Sequence, residues 1–165
     1  MAYQGPTLTH TTPTPPADGE HARYEYDHEG HIMSGLLSAL PSVLIIDDYQ
    51  PLLESYIVLL ENEFQVYTAT TGEMGLACLQ QQSIDLLLLD LQLPTIDGLE
   101  VLRRVKALDA HLPVIIVTAV NEAQPMAQAF KLGATDYVVK PCDIDTILRL
   151  LRRTLARAAP PRHHH

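Results

Sequence analysis

The stretch LLLLDLQLPTIDGLEVL, residues 86–102, decides the fold predicted for this chain. Four consecutive leucines end at Asp90, and a loop then leads into an amphipathic segment that predicts a helix over 98–108. Apolar residues at successive positions are typical of a strand buried on both faces of a parallel sheet. The stretch therefore predicts a buried strand that delivers a carboxylate to a loop, followed by a helix.

The same alternation of strand and helix extends in both directions from this stretch. Strands are predicted at Val43–Ile46, Gln65–Ala69, Asp85–Leu89, Val114–Thr118 and Tyr137–Val139. Helices are predicted at Pro51–Asn62, Gly72–Gln81, Gly98–Leu108, Glu122–Leu132 and Asp143–Ala158. Parallel strands need crossover helices, and right-handed crossovers cover both faces of the sheet. The pattern predicts a doubly wound α/β sandwich, in which ligands bind beyond the carboxyl ends of the strands.

Length and composition favour one domain and exclude several other classes of protein. The chain has 165 residues, of which 47% are hydrophobic and 19% charged, which suits a single core. No apolar run approaches the ~18 residues needed to cross a bilayer. The Thr/Pro-rich first residues lack the features of a secretory signal, so we expect a cytoplasmic protein.

The net charge and the cysteine content exclude several classes of partner and several kinds of site. The net charge of −9 and the pI near 5.2 oppose broad binding to nucleic acid or to an anionic membrane. Cys78 and Cys142 are the only cysteines, which excludes a disulfide framework and a four-cysteine zinc cluster. We therefore expect neither nucleic acid nor membrane as a direct partner.

The ends of the chain lie outside the predicted domain, which spans 41–158. Residues 1–40 have little to bury and are predicted to be disordered or weakly ordered. Within them, the apolar residues of 32–40 fall at helical spacing, which fits a short helix and equally a linker with scattered apolar residues. Residues 159–165 form a tail that ends in three histidines, interpreted as the remnant of an affinity tag.

Polar residues follow four of the predicted strands. They are Asp47 and Asp48, Asp90, Thr118, and Lys140 with the proline after it. Taken singly, each has an ordinary interpretation as a helix cap or a loop residue. Together they would place three carboxylates at one sheet edge, where their repulsion calls for a cation, and oxygen ligands favour Mg²⁺.

These residues carry a resemblance to a known family. The segments VLIIDD, LLLLDLQLPTIDGLEVL, PVIIVTA and ATDYVVKP, in this order, resemble the receiver domain of two-component response regulators, including the chemotaxis regulators. The resemblance covers residues 42–158. It implies a flavodoxin-like (βα)₅ fold with a central five-stranded parallel sheet in the strand order 2-1-3-4-5.

The resemblance also implies a chemistry. Asp90 would accept a phosphoryl group from a phosphohistidine on a histidine kinase or a histidine phosphotransfer protein. Mg²⁺ would be bound by Asp48, Asp90 and the backbone carbonyl of Gln92, with Asp47 reaching it through water. Thr118, Lys140 and the amide of Ala119 would contact the phosphoryl group. The loop residues Pro94, Asp97 and Gly98 would shape the turn that leads from Asp90 into the third helix.

A switch is implied as well. Thr118 would move toward the phosphoryl group, and Tyr137 would turn inward to fill the space that it leaves. The face of the fourth helix, fifth strand and fifth helix would then change shape, bind an unknown downstream protein target and offer a surface for a homodimer. The chain would not be a conventional enzyme; we expect only self-phosphorylation from phosphodonors and autodephosphorylation.

Two further functions remain open from the residues. An Mg²⁺-dependent phosphohydrolase of the haloacid dehalogenase-like kind also uses an aspartate nucleophile on a parallel sheet, but places an Asp-x-Asp motif after its first strand. A binding module that is never phosphorylated is the other alternative. The receiver domain could act alone by binding another protein, or an effector domain could follow it in a longer chain.

Overall fold

The computed structural model of the chain describes residues 40–158. Strands and helices alternate throughout this part. The strands are β1 (Ser42–Ile46), β2 (Gln65–Ala69), β3 (Leu86–Leu89), β4 (Val114–Thr118) and β5 (Asp136–Val139). The helices are α1 (Gln50–Leu60), α2 (Gly72–Gln81), α3 (Gly98–Leu108), α4 (Ala123–Lys131) and α5 (Ile144–Ala158).

The five strands form one sheet in the order β2-β1-β3-β4-β5. Every neighbouring pair is parallel, which confirms the predicted flavodoxin-like α/β fold. The element bounds differ from the prediction by a residue or two. At β3, for example, the strand begins at Leu86. Asp85, just before it, exchanges two hydrogen bonds with Ser42: its amide donates to the Ser42 carbonyl at 2.9 Å, and its carboxylate accepts from the Ser42 amide at 2.7 Å.

The sheet divides the core into two layers, because strand side chains alternate between faces. Leu44 and Leu87 point into a layer with α2, α3 and α4. Val43 and Leu86 point into the other layer, with α1 and α5. All five residues of β1 and all four of β3 are buried, which explains why both strands consist almost entirely of apolar residues.

Small residues let the helices lie close to the site. A methyl group added at Gly75 of α2 would meet the Ile46 side chain, and one at Gly72 would meet Ile96 and Val101. The first turns of α2 and α3 are capped by Thr71 and Asp97, whose side chains accept hydrogen bonds from the amides of Met74 and Leu99. These contacts fix both helix N-termini beside the carboxyl edge of the sheet.

Some of the predictions fall outside the described residues. The proposed disorder of the N-terminal extension, the short helix ending at residue 40 and the tail with the tag remnant lie in or largely within residues 1–39 and 159–165. Among residues 40–158, no helix is long and apolar enough to cross a membrane.

Candidate functional site

Strand register brings the predicted acidic residues to one place. Ile46 at the end of β1 pairs with Leu89 at the end of β3, so the next residue on each strand leaves the sheet at the same level. The amide of Asp90 then donates to the Ile46 carbonyl at 2.9 Å. Asp47 and Asp90 are therefore neighbours although 42 residues of sequence separate them.

Asp47, Asp48 and Asp90 form an acidic cluster. One carboxylate oxygen from each residue lies within 4.8 Å of the others. Asp47 and Asp90 are buried, at 3% and 5% exposure, whereas Asp48 is exposed. Three carboxylates so close repel one another strongly, and burial increases that repulsion because the surrounding dielectric is low.

Lys140 supplies a positive charge to this cluster. Its ammonium donates to Asp47 Oδ2 at 2.5 Å and to Asp90 Oδ2 at 3.0 Å. β5 delivers it there, since the Lys140 amide donates to the Thr118 carbonyl at 2.8 Å. Burial alone would lower the pKa of Lys140, but the hydrogen bonds and charges of Asp47 and Asp90 outweigh it and raise that pKa. One ammonium thus offsets only part of the charge of three carboxylates.

The loop after β3, residues 91–97, is called here the acceptor loop. Its first turn is closed by the Gln92 amide, which donates to Asp90 Oδ1 at 3.0 Å. Its last residues return to the first, since the Gly98 amide donates to the Leu91 carbonyl at 3.1 Å. A methyl group at Gly98 would lie 2.4 Å from the Leu91 Cα atom and 2.6 Å from the Asp90 carbonyl oxygen. The loop therefore folds back on Asp90 only because residue 98 is glycine.

Thr118 and Tyr137 both hydrogen-bond to the backbone of Val120, a junction that the sequence did not predict. Thr118 is fully buried at the end of β4, and its hydroxyl accepts a hydrogen bond from the Val120 amide at 3.4 Å. The Tyr137 hydroxyl donates to the Val120 carbonyl at 2.7 Å, and its ring lies 6.4 Å from that of Phe130 on α4. Both predicted switch residues are thus joined through the backbone of Val120, which no side-chain pattern could reveal.

The donor set of the cluster fits a hard divalent cation. Carboxylate oxygens are the ligands that Mg²⁺ and Ca²⁺ prefer in proteins, and Mg²⁺ keeps several waters and binds through one or two carboxylates. The exposed Asp48 leaves the cluster open to solvent on one side, where those waters could remain. Asp47, Asp48 and Asp90 are therefore the residues of the described part that could hold such an ion.

Comparisons with known proteins agree with this geometry. Residues 43–152 match the family model of the response regulator receiver domain. The chain is 39% identical over 119 residues to the transcriptional regulatory protein AfsQ1 of Streptomyces coelicolor, an alignment covering 72% of this chain and 52% of AfsQ1. The chain thus spans about half the length of this curated relative.

Solved structures show the same fold. A CheY-like response regulator receiver domain protein from Methanospirillum hungatei superimposes with a TM-score of 0.70 and 29% identity, over 72% of this chain and 96% of that one. The BeF3-activated DrrB receiver domain superimposes with a TM-score of 0.67 and 28% identity, over 72% of this chain and 99% of that one. With its acidic cluster of Asp47, Asp48 and Asp90 at the carboxyl edge of the sheet, the chain belongs to the response regulator receiver domain family.

Proposed function

We propose that the chain takes a phosphoryl group from a phosphohistidine, on a histidine kinase or a histidine phosphotransfer protein, onto Asp90. The observation that carries this proposal is the convergence of three carboxylates and Lys140 in one pocket at the end of β1, β3 and β5. Membership of the receiver family supports a histidine kinase as partner. It leaves the hydrolase alternative without support.

The transfer needs positioning more than covalent chemistry from the protein. A carboxylate oxygen of Asp90 attacks the phosphorus, the P–N bond to the histidine breaks, and its electron pair stays on the imidazole nitrogen, which can then take a proton from water. The new P–O bond makes an acyl phosphate. Lys140 already lies 3.0 Å from Asp90 Oδ2, within reach of a phosphoryl oxygen on that carboxylate, and the Thr118 hydroxyl and Ala119 amide stand at the end of the neighbouring strand.

The acidic cluster suits Mg²⁺, which when bound neutralises charge on the phosphoryl oxygens. Asp48, Asp90 and the backbone carbonyl of Gln92 would hold it, with Asp47 acting through water. Asp47 is the one of the three that pairs most closely with Lys140 and also accepts the Tyr49 amide at 2.9 Å. This use of its oxygens favours the indirect role.

The switch would start at Thr118. Its hydroxyl would leave Val120 to bond the phosphoryl group, which adds ~1.5–2 negative charges. Since Tyr137 is tied to the same residue, a shift of Val120 would free the Tyr137 ring to turn inward. The face of α4, β5 and α5 would then change and bind a downstream protein, or a second copy of this chain.

The output would pass through protein contacts made by this face. The match to AfsQ1, a transcriptional regulatory protein, covers 52% of that protein, so we do not extend its activity in transcription to this chain. We expect the domain itself to bind no nucleic acid, in keeping with its excess of acidic residues.

The test is incubation with Mg²⁺ and acetyl phosphate, followed by intact mass spectrometry. We expect one phosphoryl adduct on the wild type, none on Asp90→Asn and strongly reduced labelling of Asp48→Ala. Asp145→Asn, an exposed aspartate on α5, is the matched control and should label normally. Labelling that persists in Asp90→Asn would overturn the assignment of the acceptor.

A further inference from the structure

Thr95, at the tip of the acceptor loop, has an unfavourable backbone conformation. Its φ is +69°, which makes it the one residue other than glycine with positive φ in residues 40–158. The left-handed region costs roughly 1–2 kcal/mol for an L-residue and is least compatible with β-branched side chains. Such a conformation persists only where neighbouring contacts hold it.

The contact that holds it comes from another element. The Thr95 hydroxyl lies 2.7 and 2.8 Å from the two carboxylate oxygens of Glu73, in the first turn of α2. It also lies 2.6 Å from the Pro94 carbonyl. A hydroxyl has one proton to donate, and the ionised carboxylate is the stronger acceptor. Hydrogen bonding from Thr95 is the main reason that the pKa of Glu73 is lowered.

Glu73 can hold the loop in place because neighbouring contacts fix the N-terminal turn of α2, to which it belongs. Gly72 beside it packs directly against Ile96 of the loop and Val101 of α3. The Thr71 side chain caps the same turn. The acceptor loop is therefore held at two points: near Asp90 by the Gln92 amide, and at its tip by the hydrogen bond from Thr95 to Glu73.

We propose that Thr95 and Glu73 are positioning residues for phosphoryl transfer: their hydrogen bond clamps the acceptor loop to α2 and so sets where the Gln92 backbone faces the acidic cluster. The inference rests on the proposed function. Between Asp90 and Thr95 the chain is only four residues long, so a displaced tip moves the segment that would complete the metal site. Neither residue touches the reacting atoms.

The test compares variants of the full chain in two measurements: Mg²⁺ affinity by calorimetry, and the rate of phosphorylation by acetyl phosphate over a range of its concentrations. Thr95→Val keeps the branched shape and removes the hydroxyl. Glu73→Ala removes the carboxylate that accepts the hydrogen bond, and Thr95→Ser keeps a hydroxyl. Glu54→Ala, an exposed glutamate on α1, is the matched control for the loss of charge.

We expect Thr95→Val and Glu73→Ala each to weaken Mg²⁺ binding and to lower the maximal rate by about 10-fold, the size usual for residues that orient metal ligands. The double variant should lose no more than either single one, because both remove the same contact. Thr95→Ser and Glu54→Ala should match the wild type. If Thr95 only filled space, Thr95→Ser, which lacks the methyl group, would not retain the Mg²⁺ affinity and maximal rate of the wild type.

The outcomes separate the clamp from the proposed function. Failure of the wild type to label would reject the proposed function, and Mg²⁺ affinity would then decide the clamp alone. Normal labelling of the wild type, with Mg²⁺ affinity and maximal rate unchanged in Thr95→Val and Glu73→Ala, would reject the clamp. A lowered melting temperature alone, without those two changes, would reject it as well.

Discussion

Lys140 determines the charge balance of the site. It contacts two of the three carboxylates, both of them buried, and a buried charge is stable only when paired. Because its pKa in the folded chain is raised above the ordinary value of 10.5, its ion pairs contribute fully at neutral pH and are lost only as the pH rises through that raised value. Through the physiological range the pocket thus keeps a permanent cation.

Gly98 gives a sharp prediction at the level of one residue. In Gly98→Ala the new methyl group would meet backbone atoms of Leu91 and Asp90 at 2.4 and 2.6 Å, and this backbone cannot move aside without displacing Asp90. We expect the free energy of unfolding to fall by about 3 kcal/mol, the upper range for overpacking. Urea denaturation measures it.

Gly75→Ala is the matched comparison for that variant. Its methyl group would meet side-chain atoms of Ile46, the nearest of them Cδ1 at 2.1 Å and Cγ1 at 2.7 Å; a side chain can shift more easily than backbone, and alanine in a helix interior recovers up to ~1 kcal/mol of propensity. We expect Gly75→Ala to lose clearly less unfolding free energy than Gly98→Ala. Equal losses for the two variants would mean that the close return of the acceptor loop to Asp90 does not constrain the fold.

At the scale of elements, the strands and helices could be predicted because their patterns are local. β1, β3 and β4 are apolar on successive residues and are buried throughout. The acidic cluster could be predicted too, since the ends of parallel strands meet at one edge. The Val120 junction and the Thr95–Glu73 hydrogen bond could not, because they depend on backbone atoms, on a φ angle and on loop positions that no residue spacing encodes.

Helix α5 shows how one element divides its roles between two faces. Ile147, Leu151 and Thr154 are buried against the sheet. On the other side Arg152 pairs with Glu63 at 2.5 Å and Arg153 with Asp136 at 2.6 Å. Both arginines thus have acidic partners within the same chain.

The buried and exposed faces of α5 should contribute very different amounts to the free energy of unfolding. Leu151→Ala removes a fully buried side chain and should cost about 2–5 kcal/mol of unfolding free energy. Arg152→Met keeps the apolar stem but loses an exposed ion pair, which should cost far less than the buried leucine, and less still in high salt. Urea denaturation at low and high NaCl tests both. A loss in Arg152→Met as large as in Leu151→Ala would contradict this division.

In the whole molecule, the site draws its groups from four of the five strands of the sheet. Its groups come from the ends of β1, β3, β4 and β5, so charge placed in the pocket acts on several strands and on the helices packed against them. A signal that moves a population from 1:99 to 99:1 must favour one state by about 5.5 kcal/mol. In the proposed switch, the charge of the phosphoryl group placed in this site would be the source of that difference.

The same charge imbalance predicts how Mg²⁺ acts on the stability of the domain. A ligand that binds only the folded state adds about 2.7 kcal/mol at 100 times its dissociation constant. We therefore expect Mg²⁺ to raise the melting temperature, and a chelator to reverse the rise. The rise should be largely absent in Asp48→Ala, which lacks one of the three carboxylates.

Lys140→Met distinguishes the effect of the Lys140 ammonium from that of Mg²⁺, the two cations that would share these carboxylates. Without metal, the variant leaves Asp47 and Asp90 buried and unpaired, which should cost about 3–5 kcal/mol. With Mg²⁺ its stability should recover by more than the wild type gains, because the ammonium no longer repels the ion. Lys131→Met, which removes an exposed lysine of α4, controls for net charge and should behave like the wild type. If Mg²⁺ stabilised Lys140→Met no more than the wild type, the ammonium and the metal could not be sharing the same oxygens, and the assignment of the acidic cluster as the magnesium site would have to be withdrawn.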